Sequence, residues 1–171
     1  MNALLLRNIF RFGFLFSLQV FVFRNISFES FNYVSIFVYP LAIMMLPMAT
    51  PTALTLLIGF FYGLLIDNYY NTIGMHAAAG VFVSFVRNWL LDSIEPSGGY
   101  KGDISPTKRQ LGFNWFLTYS MCFMGLFCIW FFSVEVYTFV YWREILSKAF
   151  ASFMASMVFV MIYVFVFDPI D

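Results

Sequence analysis

Long apolar stretches almost free of charge dominate this chain. From Phe113 to Val134 no charged side chain occurs, and from Ile145 to Phe167 the only one is Lys148. A soluble domain of comparable size carries about 25% charged and roughly 45–50% apolar residues. Here 11% are charged and 62% hydrophobic, too few polar side chains to cover a water-facing surface. A soluble enzyme, a basic nucleic-acid binder and a disordered segment are thereby excluded. Twenty-five Phe against six Pro and ten Gly exclude fibrous and low-complexity classes as well. What remains is an integral membrane protein.

A bilayer core about 30 Å thick needs roughly 20 apolar residues per spanning helix. Six stretches fit or nearly fit that length: 9–23, 33–47, 52–66, 73–91, 113–134 and 145–167. Their apolar runs are continuous, without the ten-residue alternation of a membrane barrel. The expected fold is therefore all-α, a single transmembrane domain over 1–171 with a bundle of about six helices. Residues 92–112, rich in Pro, Gly and mixed charge, read as a solvated loop. With six passes, Arg7, Arg11, Arg87, Lys101, Lys108 and Arg109 fall on one side, against Arg24, Arg143 and Lys148 on the other. The excess of Lys and Arg marks the cytoplasmic side, so both termini and the 92–112 loop are expected inside.

Polar residues within the spans are the candidates for a site. Gly59, Gly63 and Asp67 recur every four residues and share one helix face, a small-xxx-small packing pattern that ends in a carboxylate near the membrane edge. His76, Gly80, Ser84 and Asn88 make a second stripe on the following helix. Across a tight hairpin Asp67 and His76 could meet, and the carboxylate would orient the ring. Asp67 reads either as the residue that organises the turn or as a group that binds a partner or ligand. Ala151, Ser152, Ala155 and Ser156 give the last helix a small-residue face for packing. Arg87 and Asn88 read as interfacial anchors, and the four Trp as parts of aromatic belts. Cys122 and Cys128, six apart, fall on different helix faces and suit neither a disulfide nor a zinc site, and a single His excludes a multi-His metal site. No phosphate loop, no nucleophile at a recognisable spacing and no chain of intramembrane acids is present, so neither a cofactor nor an enzymatic activity is expected.

The stretch Gly59-Phe60-Phe61-Tyr62-Gly63-Leu64-Leu65-Ile66-Asp67, followed by Gly74-Met75-His76-Ala77-Ala78-Ala79, resembles the signature region of the rod shape-determining protein MreD family. Leu5-Leu6-Arg7-Asn8-Ile9, Gln19-Val20 and Gly112-Phe113-Asn114-Trp115-Phe116 are also similar to that family. The distinctive motif spans about twenty residues, while length and helix number agree over the whole chain. The resemblance implies a non-enzymatic scaffold subunit of the bacterial cell-elongation machinery, in the inner (cytoplasmic) membrane. It implies an MreC-like single-span partner and, through it, MreB, RodA and a class B penicillin-binding transpeptidase. Membrane lipids are further partners; nucleic acid is not. The family is similar in fold to the substrate-binding subunits of energy-coupling-factor transporters. A vitamin-binding transporter subunit is therefore one alternative, and a small component of another envelope assembly a second. Gly59, Gly63, Asp67, His76 and the Ala151/Ser152/Ala155/Ser156 face are the candidates for partner binding or packing.

Overall fold

A computed structural model describes residues 3–25, 34–100, 104–136 and 142–167. Tyr33, expected to open the second span, and Lys101, counted in the charge balance, lie outside the described residues. Helix α1 (Ala3–Ser17) continues into a π turn at Leu18–Val22 and a 3-10 turn at Phe23–Asn25. A one-turn helix α2 (Pro40–Met44) follows, then α3 (Thr52–Tyr70) and α4 (Met75–Ser93). A short α5 (Lys108–Leu111) precedes α6 (Phe113–Val136) and α7 (Trp142–Phe167). Among the described residues, α3, α6 and α7 are long and apolar enough to cross a membrane. The protein is an all-α, multi-pass membrane protein.

The expected spanning helix at 33–47 does not form. Residues 34–38 are extended, only Pro40–Met44 is helical, and the segment threads the middle of the bundle. Side chains from Ile36 to Leu46 are all buried, with Tyr39, Leu41, Ile43, Met44 and Met45 at 0% exposure. Two local causes stand out. Pro40 has no N–H to donate within a helix and sits at the first position of α2, where that donor is not needed, so it starts a turn and cannot continue one. The apolarity of the run is met by protein on every side, whereas a lipid-facing helix such as α7 leaves most of its surface outward. Apolar sequence reports burial, and here the burial is inside the protein.

Irregular backbone at membrane depth is tolerated only where the protein itself supplies hydrogen-bond partners. Four helices supply them here. The Ser35 N–H donates to Ser152 Oγ (3.0 Å) and the Phe37 N–H to Ser156 Oγ (2.8 Å), both on α7. The pitches match: four helical residues rise about 6 Å and two extended residues about 6.6 Å, so an i, i+4 pair of serines meets every second N–H. On the other side Gln19 Oε1 accepts from the N–H of Val38 (2.9 Å) and Tyr39 (3.4 Å). Gln19 Nε2 donates to Ile36 O (2.9 Å) and to Tyr70 Oη (2.8 Å). Nearer the other end Tyr119 donates to Met44 O (3.2 Å), Arg11 to Met45 O (3.1 Å), and Arg87 to the carbonyls of Leu46 and Pro47.

Arg87 is thus not an interfacial anchor. It is completely buried, and its guanidinium turns inward to the segment's carbonyls. The 92–112 loop is also less solvated than expected, because Ser105 and Thr107 are buried and the Met48 N–H donates to Ile104 O (2.9 Å). Cys122 is exposed and Cys128 buried on different faces of α6, and neither is in a disulfide.

Helices α3 and α4 make the closest crossing. A Cβ added to Gly63 would collide with the backbone of Ala77 and His76, and one on Gly59 with Ser84 Oγ and the Gly80 carbonyl. Gly80 returns the constraint, since its own Cβ would strike the Gly59 carbonyl. The small-residue face of α3 is therefore consumed inside the bundle.

Two substitutions probe these contacts. Gly63→Ala is expected to lower stability by about 1–3 kcal/mol through overpacking, whereas Gly13→Ala, inside α1 with nothing within 4 Å of its Cβ, should not lower it and gains from the better helix former. Gln19→Leu should cost more, because each buried group of the central segment left unsatisfied is worth about 1–3 kcal/mol. Thermal unfolding of the detergent-solubilised variants, followed by size exclusion, measures both; equal melting of Gly63→Ala and Gly13→Ala would contradict the close crossing.

Candidate functional site

The turn between α3 and α4 brings together Asp67 and His76, two of the polar residues singled out in the sequence. Helix α3 ends on Asn71 in the left-handed region (φ 54°), and Gly74 at φ 74° redirects the chain into α4. Asn is among the few side chains that tolerate such a backbone, and Gly adopts it without strain. This return brings Asp67, one turn before the end of α3, against the first turn of α4.

Helix α4 starts without a side-chain cap of its own. Asp67 supplies one from the neighbouring helix. Its Oδ1 accepts the His76 N–H (3.0 Å) and its Oδ2 the Ala77 N–H (2.9 Å), two of the donors that a helix start leaves unpaired. The carboxylate also sits at the positive end of the α4 dipole. Thr72 Oγ1 donates to Asp67 Oδ1, and His76 Nδ1 lies 3.1 Å from the same oxygen. Asp67 and His76 are 3% and 1% exposed, so the pair is buried in the protein.

The imidazole is fixed by that contact. With the Nδ1 proton directed at Asp67, Nε2 is left as an acceptor in the neutral ring. It is buried and has no hydrogen-bond partner. Four rings surround the imidazole, at centroid distances of 4.9 Å (Phe131), 5.0 Å (Tyr70), 5.6 Å (Tyr39) and 6.2 Å (Phe37). A cleft of about 270 Å³ opens beside them. Its walls come from the π and 3-10 turns that follow α1 (Gln19, Phe23, Arg24), the extended segment (Val34–Phe37), the hairpin (Tyr70, Thr72, Met75, His76) and the end of α6 (Phe131, Glu135).

Of the residues named from sequence, the fold brings Gly59, Gly63, Asp67 and His76 into one hairpin. Ser152 and Ser156 are elsewhere, facing inward on α7 as acceptors for the central segment, while Ala151 and Ala155 are half-buried beside them. Sequence reasoning missed Gln19, Arg24 and Glu135 as lining residues of a common cleft. Gln19, an amide inside an apolar run, was the available signal for the first. Nothing in the sequence linked Arg24 to Glu135, which lie more than a hundred residues apart. Among the described residues, no group of three or more His, Cys, Asp or Glu is placed to hold a metal ion.

The fold and the site define a multi-pass, all-helical membrane protein with a capped polar hairpin and a small cleft at one end of the bundle. The chain matches no family model, no curated protein and no solved structure.

The cap makes a graded expectation. Asp67→Ala removes the acceptor for both α4 N–H groups and should lower stability by about 1–3 kcal/mol. Asp67→Asn keeps one acceptor oxygen and should lose less. Melting temperatures of the two variants in the same detergent give the order, and two wild-type curves would mean that the cap contributes nothing.

Proposed function

We propose that this protein is a non-enzymatic membrane scaffold subunit of the bacterial cell-elongation complex, binding an MreC-like single-span partner. The observation that carries this reading is the unity of the MreD-like stretch. Gly59 and Gly63 allow α3 and α4 to touch, Asp67 caps α4, and His76 closes the turn, so the residues that carry the resemblance form one packed device. Through that partner the subunit would connect to MreB, RodA and a class B penicillin-binding transpeptidase, with both of its termini cytoplasmic.

In lipid, helix association draws on close packing and sheltered polar contacts and gains nothing from water exclusion. The Gly59/Gly63 face and the Ser152/Ser156 hydroxyls are already engaged within the bundle, so a partner helix would use an outer surface, and the one between α6 and α7 suits it best. There an apolar groove of about 590 Å³ runs between the two helices, with Met121, Met157 and Met161 in its lining. Flexible, polarizable methionines adapt to a partner's surface better than branched side chains do.

A photo-crosslinking residue at Met121 or Met161 is expected to capture an MreC-like protein in cells, while one at Phe85, on the exposed side of α4, captures lipid or nothing. Failure to co-purify any MreC-like protein in mild detergent would remove the scaffold reading. Recovery of a coupling ATPase instead would favour the vitamin-transporter alternative, which the cleft beside His76 also suits. A cysteine at Ser97 should resist labelling from outside intact cells if the 92–112 loop is cytoplasmic.

A further inference from the structure

We propose that the cleft beside His76 is a binding site for a phosphoethanolamine group, a zwitterion with a primary ammonium and a phosphate. Arg24, in the 3-10 turn Phe23–Asn25, and Glu135, near the end of α6, line the same cleft. Among the described residues no ion pair joins them. A simple anion in this cleft would face the Glu135 carboxylate, and a simple cation would face the Arg24 guanidinium. A molecule that carries both charges a few bonds apart satisfies each, with the phosphate on the guanidinium fork and the ammonium on the carboxylate.

The inner wall suits the ammonium. Phe37, Tyr70 and Phe131 line the cleft around the imidazole, and an ammonium placed over one of their faces would gain cation–π attraction. His76 Nε2, buried without a partner, is an acceptor in the neutral ring and matches an N–H donor. A quaternary ammonium has no such donor. The volume fits as well, since sites for drug-sized ligands run from about 300 to 1,000 Å³ and this cleft, at about 270 Å³, takes a group smaller than those. The position agrees with a headgroup, because the cleft lies between the 3-10 turn that follows α1 and the last turn of α6, at helix ends that a headgroup would reach from the bilayer surface.

Two sources carry this chemistry, phosphatidylethanolamine in the membrane and soluble phosphoethanolamine. Native mass spectrometry of the full chain in detergent, supplied with phosphatidylethanolamine or phosphatidylglycerol at equal concentration, tests the site. The expected result is at least fivefold preference for phosphatidylethanolamine, falling to less than twofold in Glu135→Gln, which removes the ammonium's partner. Arg24→Gln should weaken retention of both lipids. Both side chains are exposed, so neither change is expected to disturb folding, and an unaltered melting temperature verifies that. Displacement of the lipid by millimolar free phosphoethanolamine would assign the site to the soluble compound as well, whereas lack of displacement alongside the lipid preference would assign it to the membrane lipid. No preference in the wild type, or the same preference in wild type and Glu135→Gln, would overturn the proposal.

Discussion

A stretch of non-helical backbone running through the centre of a membrane bundle must have every exposed N–H and C=O answered by protein, and the rest of this structure is arranged around that requirement. Residues 34–39 cannot satisfy themselves as a helix does. Gln19 turns its amide onto them from the π turn of α1, Ser152 and Ser156 offer hydroxyls from α7, and Arg11, Tyr119 and Arg87 cover the carbonyls farther along. Gln19 engages both ends of its amide group, so no smaller or charged side chain substitutes for it without leaving a buried group unpaired. A π turn at this point is consistent with the use of such turns where a helix departs from regularity for a specific contact.

The α3–α4 hairpin answers the same problem on a smaller scale. A helix start within the apolar bundle would leave donors unpaired, and Asp67 closes two of them from outside α4. The glycine crossing below it is what lets a carboxylate on one helix reach the first turn of the next. Removal of either element affects the other: with larger residues at 59 and 63 the helices separate, and the cap loses its geometry.

The long apolar helices α3, α6 and α7 were legible from apolar length alone, and so was the meeting of Asp67 with His76, because four-residue spacing on two helices joined by a short turn leaves little freedom. The second pass was misread for a physical reason. Apolar length measures transfer out of water, and it does not distinguish lipid from protein as the receiving medium. Pro40 was the local sign that this run could not continue as a helix, and the Ser152/Ser156 spacing, read as a close-packing face, was in fact a ladder of acceptors for extended backbone. Arg87 was misread by the same habit, since a charged residue near a helix end is expected to reach outward, and only the position of the Leu46 and Pro47 carbonyls decides that it turns in. The cleft was the least legible, because it is made by the ends of helices far apart in sequence.

The serine ladder also bears on how the protein is made. The N–H groups of Ser35 and Phe37 find their acceptors on the last helix, 117 and 119 residues later in the chain. During synthesis from the N-terminus, this segment emerges well before α7 exists. Until then it must shelter its backbone in another way, in the insertion machinery, in the interfacial water or as a transient helix strained at Pro40. The native segment therefore reaches its full pairing only at the final stage of assembly, and a chain truncated before α7 keeps the contacts from Gln19, Arg11, Arg87 and Tyr119 but leaves the Ser35 and Phe37 N–H groups without their acceptors.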